Sequence, residues 1–261
     1  MLSVLGNASF GKDFFGKVHK ETGGTPFFIL ETVKLLVEEG AVVQDEAGTW
    51  KLVKELDKLD LPTKVYDVVK RRLDRLMKGQ RETLECAAVI GEEFSTDVLE
   101  KTTETKKIAL LKNLSEIEKA HKLIHYLKDK YKFDHAKIRE VIYKDIGEEL
   151  RKEYHRIVGD TIVELHADNI DEVAAELAHH YHEAGDERAG VYLVKAGDRA
   201  MERYANEEAI HLYDNALETI KGTGEKIAIL EKMGDLRTLI GEYGKAIENF
   251  LDAKETAEDG E

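Results

Sequence analysis

Four stretches of the 261-residue chain place chemically capable side chains close together in sequence. The first, Gly6-Asn-Ala-Ser-Phe-Gly-Lys-Asp13, stops one position short of a phosphate-binding loop, Gly-x-x-x-x-Gly-Lys-Ser/Thr. The last position of such a loop gives a neutral hydroxyl to Mg²⁺; Asp13 puts a carboxylate there, which repels phosphates. The second is Asp134-His135, where a short strand hands over to a helix. Backbone N–H groups are unpaired at such a junction and the helix dipole favours negative charge. His135 is therefore an interdomain contact or a phosphate sensor, with capping or packing as the plain alternative. The third is His179-His180-Tyr181-His182, in which His179 and His182 share a helix face near Glu176 and Glu183. No third ligand from another segment is evident, and no metal site is expected. The fourth is a helix over 105–120 with Lys106, Lys107, Lys112, Asn113 and Lys119, followed by Lys128, Lys130 and Lys132. Lysines suit nucleic-acid phosphates, whereas base edges call for Arg, Asn or Gln, and this helix has one Asn and no Arg. A mixed solvated face, with Glu116 and Glu118 among the lysines, is the plain alternative. No nucleophile–base constellation appears, so no enzymatic activity is expected.

Composition narrows the class. The net charge of −14 argues against generic nucleic-acid binding. Segment 64–140 departs from this, with 18 Lys/Arg against 14 Asp/Glu. Two prolines, 7% aromatics and long Glu/Lys/Ala/Leu stretches indicate a mostly helical protein. A single cysteine, Cys86, excludes an internal disulfide framework and fits a reducing compartment; its apolar neighbours predict a buried, inert thiol. No apolar run reaches the length of a membrane span, and the N-terminus lacks a signal-peptide pattern. A cytoplasmic location is expected.

The elements follow from periodicity. A helix over 12–21 ends at Gly23-Gly24. Thr25 and Pro26 start the next, which runs to Gly40. A hairpin then folds around 45–48. Val65, Val68, Val69, Leu73, Leu76 and Met77 stripe one helix, with Gly79 as its breaker. A short helix over 84–90 follows, then a Ser95-capped one. Ile108, Leu111, Leu114 and Ile117 stripe a third. Ile124 and Tyr126 face Phe133 and Tyr131 across a second hairpin. Helix, helix, helix and hairpin make a winged helix. Leu150, Tyr154, Ile157, Val158, Ile162 and Leu165 stripe the next helix, and Val173, Leu177 and Tyr181 the one after it.

A repeat then emerges. Gly197, Ala209, Tyr213 and Ala216 have the same offsets as Gly234, Ala246, Phe250 and Ala253, 37 residues on. Small, small, aromatic, small is the tetratricopeptide pattern, in which small residues let two helices approach closely. No polar capping helix follows, the pattern of an array cut before its natural end. The acidic stretch 255–261 is expected to fray.

Thr22-Gly-Gly-Thr-Pro-Phe-Phe-Ile-Leu-Glu31, Arg72-Leu-Asp-Arg-Leu76, Ala87-Ala-Val-Ile-Gly-Glu-Glu-Phe-Ser95 and Phe133-Asp-His-Ala-Lys-Ile-Arg-Glu-Val-Ile-Tyr143 together resemble STAND-class P-loop ATPases. These are signal-transducing enzymes with many domains, here of the predicted bacterial and archaeal type. The resemblance covers about residues 1–220. Arg151 and His155 resemble the family's Arg-x-x-x-His, and Leu177-Ala-His-His-Tyr-His-Glu-Ala-Gly185 resembles its Leu-Ala-x-His-Tyr-x-x-Ala-Gly. The resemblance implies that Gly24, Thr25 and Pro26 pack against a nucleotide held by a preceding P-loop domain. It implies that His135 contacts the β-phosphate of ADP, although acid and histidine stand in the reverse order from the family's Met-His-Asp form.

The expected fold is mainly α. A helical lid with a small hairpin occupies 1–61, a winged helix 62–147, and a superhelix of tetratricopeptide-like hairpins 148–261. The expected function is the non-catalytic regulatory portion of a signal-transducing ATPase. The repeat face would bind a protein or small effector, and the winged helix would act as an interdomain clamp. The chain needs no cofactor of its own; ATP or ADP enters only with a P-loop domain, in cis or in trans, and no membrane is involved. The alternative is a DNA-binding regulator that touches DNA through Lys106, Lys107, Lys112, Asn113, Lys128 and Lys130.

Overall fold

A computed structural model describes residues 10–55, 59, 61–62 and 64–259. Of the stretch resembling a phosphate loop, residues 6–9 lie outside the described residues. The chain forms two compact units, one from residues 1–93 and 107–145, the other from 94–106 and 146–261. The described residues contain thirteen α-helices and a few short antiparallel strands.

In the first unit, α1 (Lys12–Thr22) ends where Gly23 turns left-handed at φ 58°, a conformation glycine adopts without a Cβ penalty. Helix α2 (Pro26–Glu38) begins on Pro26, whose fixed φ suits a first turn. Strands β1 (Val42–Gln44) and β2 (Trp50–Leu52) pair antiparallel. Asp45 Oδ1 holds their turn by accepting the Ala47 and Thr49 N–H groups at 3.0 and 2.9 Å. Phe14, Val18, Leu36, Ala41 and Val42 form the core between these elements.

Helix α3 (Val65–Leu73) buries Val68, Val69 and Leu73 but stops before Leu76 and Met77, and Met77 is exposed. Gly79 breaks nothing, because α4 (Lys78–Ile90) starts just before it. The helix can start there because Gln80 Oε1 reaches back to accept the Met77 N–H at 3.1 Å, which satisfies one of the free donors of a helix start. Cys86 is fully buried in α4. Residues 93–94 form a short strand, β3, that periodicity cannot reveal at two residues.

Helix α6 (Lys107–Glu116) passes into one π-helical turn over Ile117–His121. Its buried stripe is Leu110, Leu114 and Ile117, whereas Ile108 and Leu111, expected in the core, are exposed. The apolar residues here fit two helical rows, and Leu110 completes the one that packs. Strands β4 (Ile124–Leu127) and β5 (Lys130–Phe133) pair in the expected register, Ile124 with Phe133 and Tyr126 with Tyr131. The sheet order is β3-β5-β4. Helix α7 (Ala136–Asp145) buries Ile138, Val141 and Ile142.

One charged side chain ties the first unit together. Arg72 of α3 is 1% exposed. It forms ion pairs with Glu31 and, through Nε at 3.0 Å, with Glu38, both on α2, and it donates to the His121 carbonyl. Lys34 lies 2.9 Å from Glu31 Oε1 and 2.8 Å from Asp134 Oδ2.

In the second unit, α5 (Thr96–Thr103) is capped by Ser95, whose Oγ accepts the Val98 N–H at 3.2 Å. Helix α8 (Glu148–Leu165), a 3-10 turn over Ile170–Val173 and α9 (Ala174–Ala184) make one helical hairpin. Helices α10 (Arg188–Glu202) and α11 (Asn206–Thr219) make the second, and α12 (Thr223–Leu239) and α13 (Tyr243–Glu258) the third. Residues 255–258, expected to fray, are helical; residues 260–261 lie outside the described residues. In α8, Leu150 and Leu165 are exposed and His155 is buried, against the expected stripe.

Each hairpin brings a glycine under an aromatic ring. A Cβ on Gly197 would sit 2.6 Å from Tyr213, one on Gly234 2.6 Å from Phe250, and one on Gly159 2.9 Å from Tyr181. The third pair escaped the sequence pattern because it spans 22 residues instead of 16. The 3-10 turn takes up part of the difference. These are helical repeats of tetratricopeptide type.

Arg72→Ala is expected to cost about 3–5 kcal/mol, since it leaves Glu31 buried without its main counter-charge. Glu31→Met with Arg72→Met is expected to recover most of that loss. Denaturant unfolding of the two variants checks this; a double variant no more stable than Arg72→Ala would refute it.

Candidate functional site

The first candidate site lies in the first unit, where α2 begins. Gly23 and Gly24 both have positive φ, and a Cβ on Gly24 would meet His19 Nε2 at 2.8 Å. Thr25 occupies the N-cap position, but its side chain makes no cap hydrogen bond; its carbonyl accepts the Ile29 N–H at 2.9 Å. Beside Pro26, the ring of Phe27 stacks on His135 at 3.8 Å between centroids, 20° from parallel. The fold thus brings the N-terminus of α2 to the β5–α7 junction. Of the residues implied by resemblance, His135 is joined through Phe27 to the segment that carries Gly24, Thr25 and Pro26.

His135 also has a local task. Its Nδ1 accepts the Lys137 N–H at 3.1 Å, so it caps the helix that it precedes. In that state Nδ1 is unprotonated, and Nε2 is the nitrogen left to donate. Asp134 is held by Lys34 at 2.8 Å and lies 3.7 Å from His125 Nδ1. Its carboxylate belongs to the Arg72 network. Burial, with Arg72 nearby, holds His121 below the usual histidine value despite the carboxylates of Glu38 and Glu116. A second cluster joins α3, α4 and α7. Burial works to raise the Asp145 pKa, but hydrogen bonds from Lys70 and Tyr66 and the charges of Lys70 and Arg81 hold it low.

The basic residues differ in exposure and in the unit they belong to. Lys112, Lys128 and Lys130 are exposed, Lys107 is half-buried, and Lys106 belongs to the second unit. Asn113, the helix's one residue suited to a base edge, donates to the Gly79 carbonyl at 3.2 Å and to Thr83 Oγ1 at 2.7 Å. Its amide is committed to α4. Lys132 is paired with Glu92 and Glu93.

The second candidate site lies in the second unit, between the first helices of successive hairpins. A cleft of about 250 Å³ opens between α10 and α12, with Val191, Val194, Ile220, Ala228 and Ile229 as its apolar lining and Glu225 beside them. Gly190 admits Ile220, because a Cβ there would meet it at 2.6 Å. Lys195 and Lys232 rim the cleft, paired with Asp171 at 2.6 Å and with Asp198 respectively. A polar hollow of about 500 Å³ adjoins it along Asp171, Lys195, Asp198, Arg199 and Glu202. The groove therefore offers an apolar floor beside two paired lysines and the carboxylate of Glu225.

Sequence inspection missed the acid that follows each packing glycine. Asp160 and Asp198 accept the hydroxyls of Tyr181 and Tyr213 at 3.0 and 2.6 Å. Burial first, then the bond to Asp160 and its charge, push the Tyr181 phenol well above its ordinary range; Tyr213 and Asp198 repeat the effect. The recurring Gly-Asp pair was the available signal. A buried histidine pair was missed as well. His155 Nδ1 and His180 Nδ1 lie 2.9 Å apart, so one ring donates and the other accepts. His179 and His182, the pair considered as metal ligands, are exposed, and no group of three or more potential ligands occurs among the described residues.

No protein-family model matches the chain, and no curated protein matches it. A solved structure that is similar is a Signal Transduction ATPase with Numerous Domains (STAND) protein with a tetratricopeptide repeat sensor from Pyrococcus horikoshii. The match has 16% identity and a TM-score of 0.39 and covers 96% of this chain. This chain spans 39% of that one.

The two phenols make stability sensitive to alkali. In the unfolded chain they ionise near pH 10, whereas in the fold they keep their protons. Their contribution is full below pH 10 and is lost as the pH rises beyond it. Tyr181→Phe with Tyr213→Phe is expected to lose about 1 kcal/mol or more per hydrogen bond at neutral pH. It should also flatten the fall in stability between about pH 10 and 12. Urea melts across that range test this, and identical slopes for the two proteins would contradict it.

Proposed function

We propose that the chain is a non-catalytic regulatory module whose repeat groove holds an apolar-anchored segment of a protein or a small effector. The observation that carries this is the cleft between α10 and α12, with Val191 half exposed on its floor while the lysines beside it are already neutralised. An apolar floor beside lysines that already have their counter-charges rewards a ligand that brings a bulky apolar group.

The proposal extends to the other segments. Residues 1–61 act as a lid and 148–261 as the sensor. Residues 62–147 act as a winged helix that clamps a neighbouring domain. The chain order there of α4, β3, α6, β4 and β5, with sheet order β3-β5-β4, supports that assignment, and the grouping of α5 with the second unit weighs against it. The resemblance in sequence supports the clamp: with a P-loop domain supplied, Gly24, Pro26 and His135 would face ADP. Effector binding would favour the open form, a coupling that requires different affinities for the two states. The commitment of Asn113 to α4 weighs against the DNA-binding alternative.

Two measurements test the proposal. Selection from a random peptide library against the chain is expected to enrich peptides with a bulky apolar anchor, and Val191→Glu should abolish their binding. Enriched peptides that ignore Val191→Glu would sink the groove assignment. Calorimetric titration with ADP and with Mg-ATP is expected to give no heat with this chain alone. Micromolar ADP binding lost on His135→Ala would instead place a nucleotide pocket within the chain. A duplex-binding signal that falls steeply with salt and vanishes on Lys128→Glu with Lys130→Glu would favour the DNA-binding alternative.

A further inference from the structure

We propose that the exposed side of α6 and the adjoining β4–β5 hairpin dock a protein segment that is acidic and carries bulky apolar anchors. This surface is built by residues of the first unit alone and uses none of those assigned to the groove or to the ADP contact.

Helix α6 carries two apolar rows. Leu110, Leu114 and Ile117 are buried, whereas Ile108 and Leu111, one turn apart, are 71% and 40% exposed. Ser115 and then Glu118, in the π-helical turn, continue the exposed row at helical spacing. The Glu118 carboxylate accepts the Tyr126 N–H at 2.8 Å, so the row leads to β4, at the edge of its sheet. There Tyr126 and Leu127 are 55% and 45% exposed. Single exposed apolar residues are ordinary, but four large ones along one track mark an interaction surface.

Charge selects the occupant. Residues 107–130 hold six lysines against Glu116, Glu118 and Asp129. Both glutamates turn to the fold, Glu118 to the Tyr126 N–H and Glu116 to Gln80 Nε2 at 3.3 Å. Lys112, Lys119, Lys122, Lys128 and Lys130 are exposed and have no ion-pair or hydrogen-bond partner among the described residues. Elsewhere in the same unit Lys70, Lys132, Lys137 and Lys144 are all paired with carboxylates. An apolar track beside unpaired cations calls for carboxylates brought by a partner. A DNA duplex would give phosphates to the lysines but leave Ile108 and Leu111 against polar groove edges, and Asn113 has no amide to spare for a base. An anionic bilayer would meet the exposed carboxylate of Asp129 between Lys128 and Lys130. A protein segment supplies both halves, large apolar side chains for the track and Asp or Glu for the lysines.

A peptide library with Leu or Phe at every third or fourth position, and Glu, Gln or Lys at the others, tests this by selection against the full chain. Glu is expected to be enriched over Gln and Lys. A selected peptide carrying a fluorophore should bind saturably by anisotropy. Ile108→Asp alone, and Lys128→Glu with Lys130→Glu, should each weaken it by about tenfold or more. The substituted side chains are exposed, so circular dichroism should show unchanged helix content. Selection of no peptide, enrichment of Gln or Lys, or binding indifferent to either variant would overturn the proposal. So would a DNA duplex or a phosphatidylserine vesicle that the chain binds, and that both variants release, while no acidic peptide competes, because the face would then belong to nucleic acid or to lipid.

Discussion

A guanidinium with almost no access to water must find its acceptors inside the protein, and Arg72 finds three of them on two separate segments. Glu31 and Glu38 come from α2, and the His121 carbonyl comes from the end of the π-helical turn. Removing charges from water costs several kcal/mol per ion, so such a cluster is kept less for net stability than for the arrangement it permits. Any shift of α2 against α3 strands a charge. Lys34 extends the same constraint from Glu31 to Asp134, at the root of α7. The stacking of Phe27 on His135 follows from this, since both residues sit on segments that the network has already placed.

Much of this architecture was legible in the residues. The two hairpins, the register of the second, the helix starts at Pro26 and Ser95 and the glycine stop after α1 all follow from local rules. The failures share a cause: a local pattern admitted two answers and tertiary packing chose. Ile108 and Leu111 are as apolar as Leu110, yet the row through Leu110 is the one that found a partner. Gly79 looked like a helix breaker, but in a first turn its missing side chain matters little, and Gln80 supplied the cap. His155 and Leu150 exchanged expected roles because a histidine can be buried when another ring satisfies it, as His180 does.

The candidate sites were less legible. Spacing drew attention to His179 and His182, three apart on one face, whereas the histidines that meet are 25 residues apart on facing helices. Asn113 has the chemistry of a base reader but spends it on a carbonyl and a hydroxyl of α4. The groove between α10 and α12 depends on residues that are unremarkable alone. Val191, Val194 and Ile229 acquire meaning only when two helices separated by a third are laid side by side. Pairwise spacing within one helix cannot register such a surface.

Asp198 accepts the Tyr213 hydroxyl from its own hairpin and the Lys232 ammonium from the next. One carboxylate therefore holds a hairpin closed and fastens it to its neighbour, so opening either contact weakens the other. In an array whose stability is a sum of units and nearest-neighbour terms, such shared acceptors raise the neighbour term relative to the unit term. Asp160 repeats the arrangement with Tyr181 and Arg188. The third hairpin has Phe250 in place of the tyrosine, so no ring hydroxyl binds there. Coupling through a shared carboxylate, hydroxyl on one side and cation on the other, thus runs through the first two hairpins.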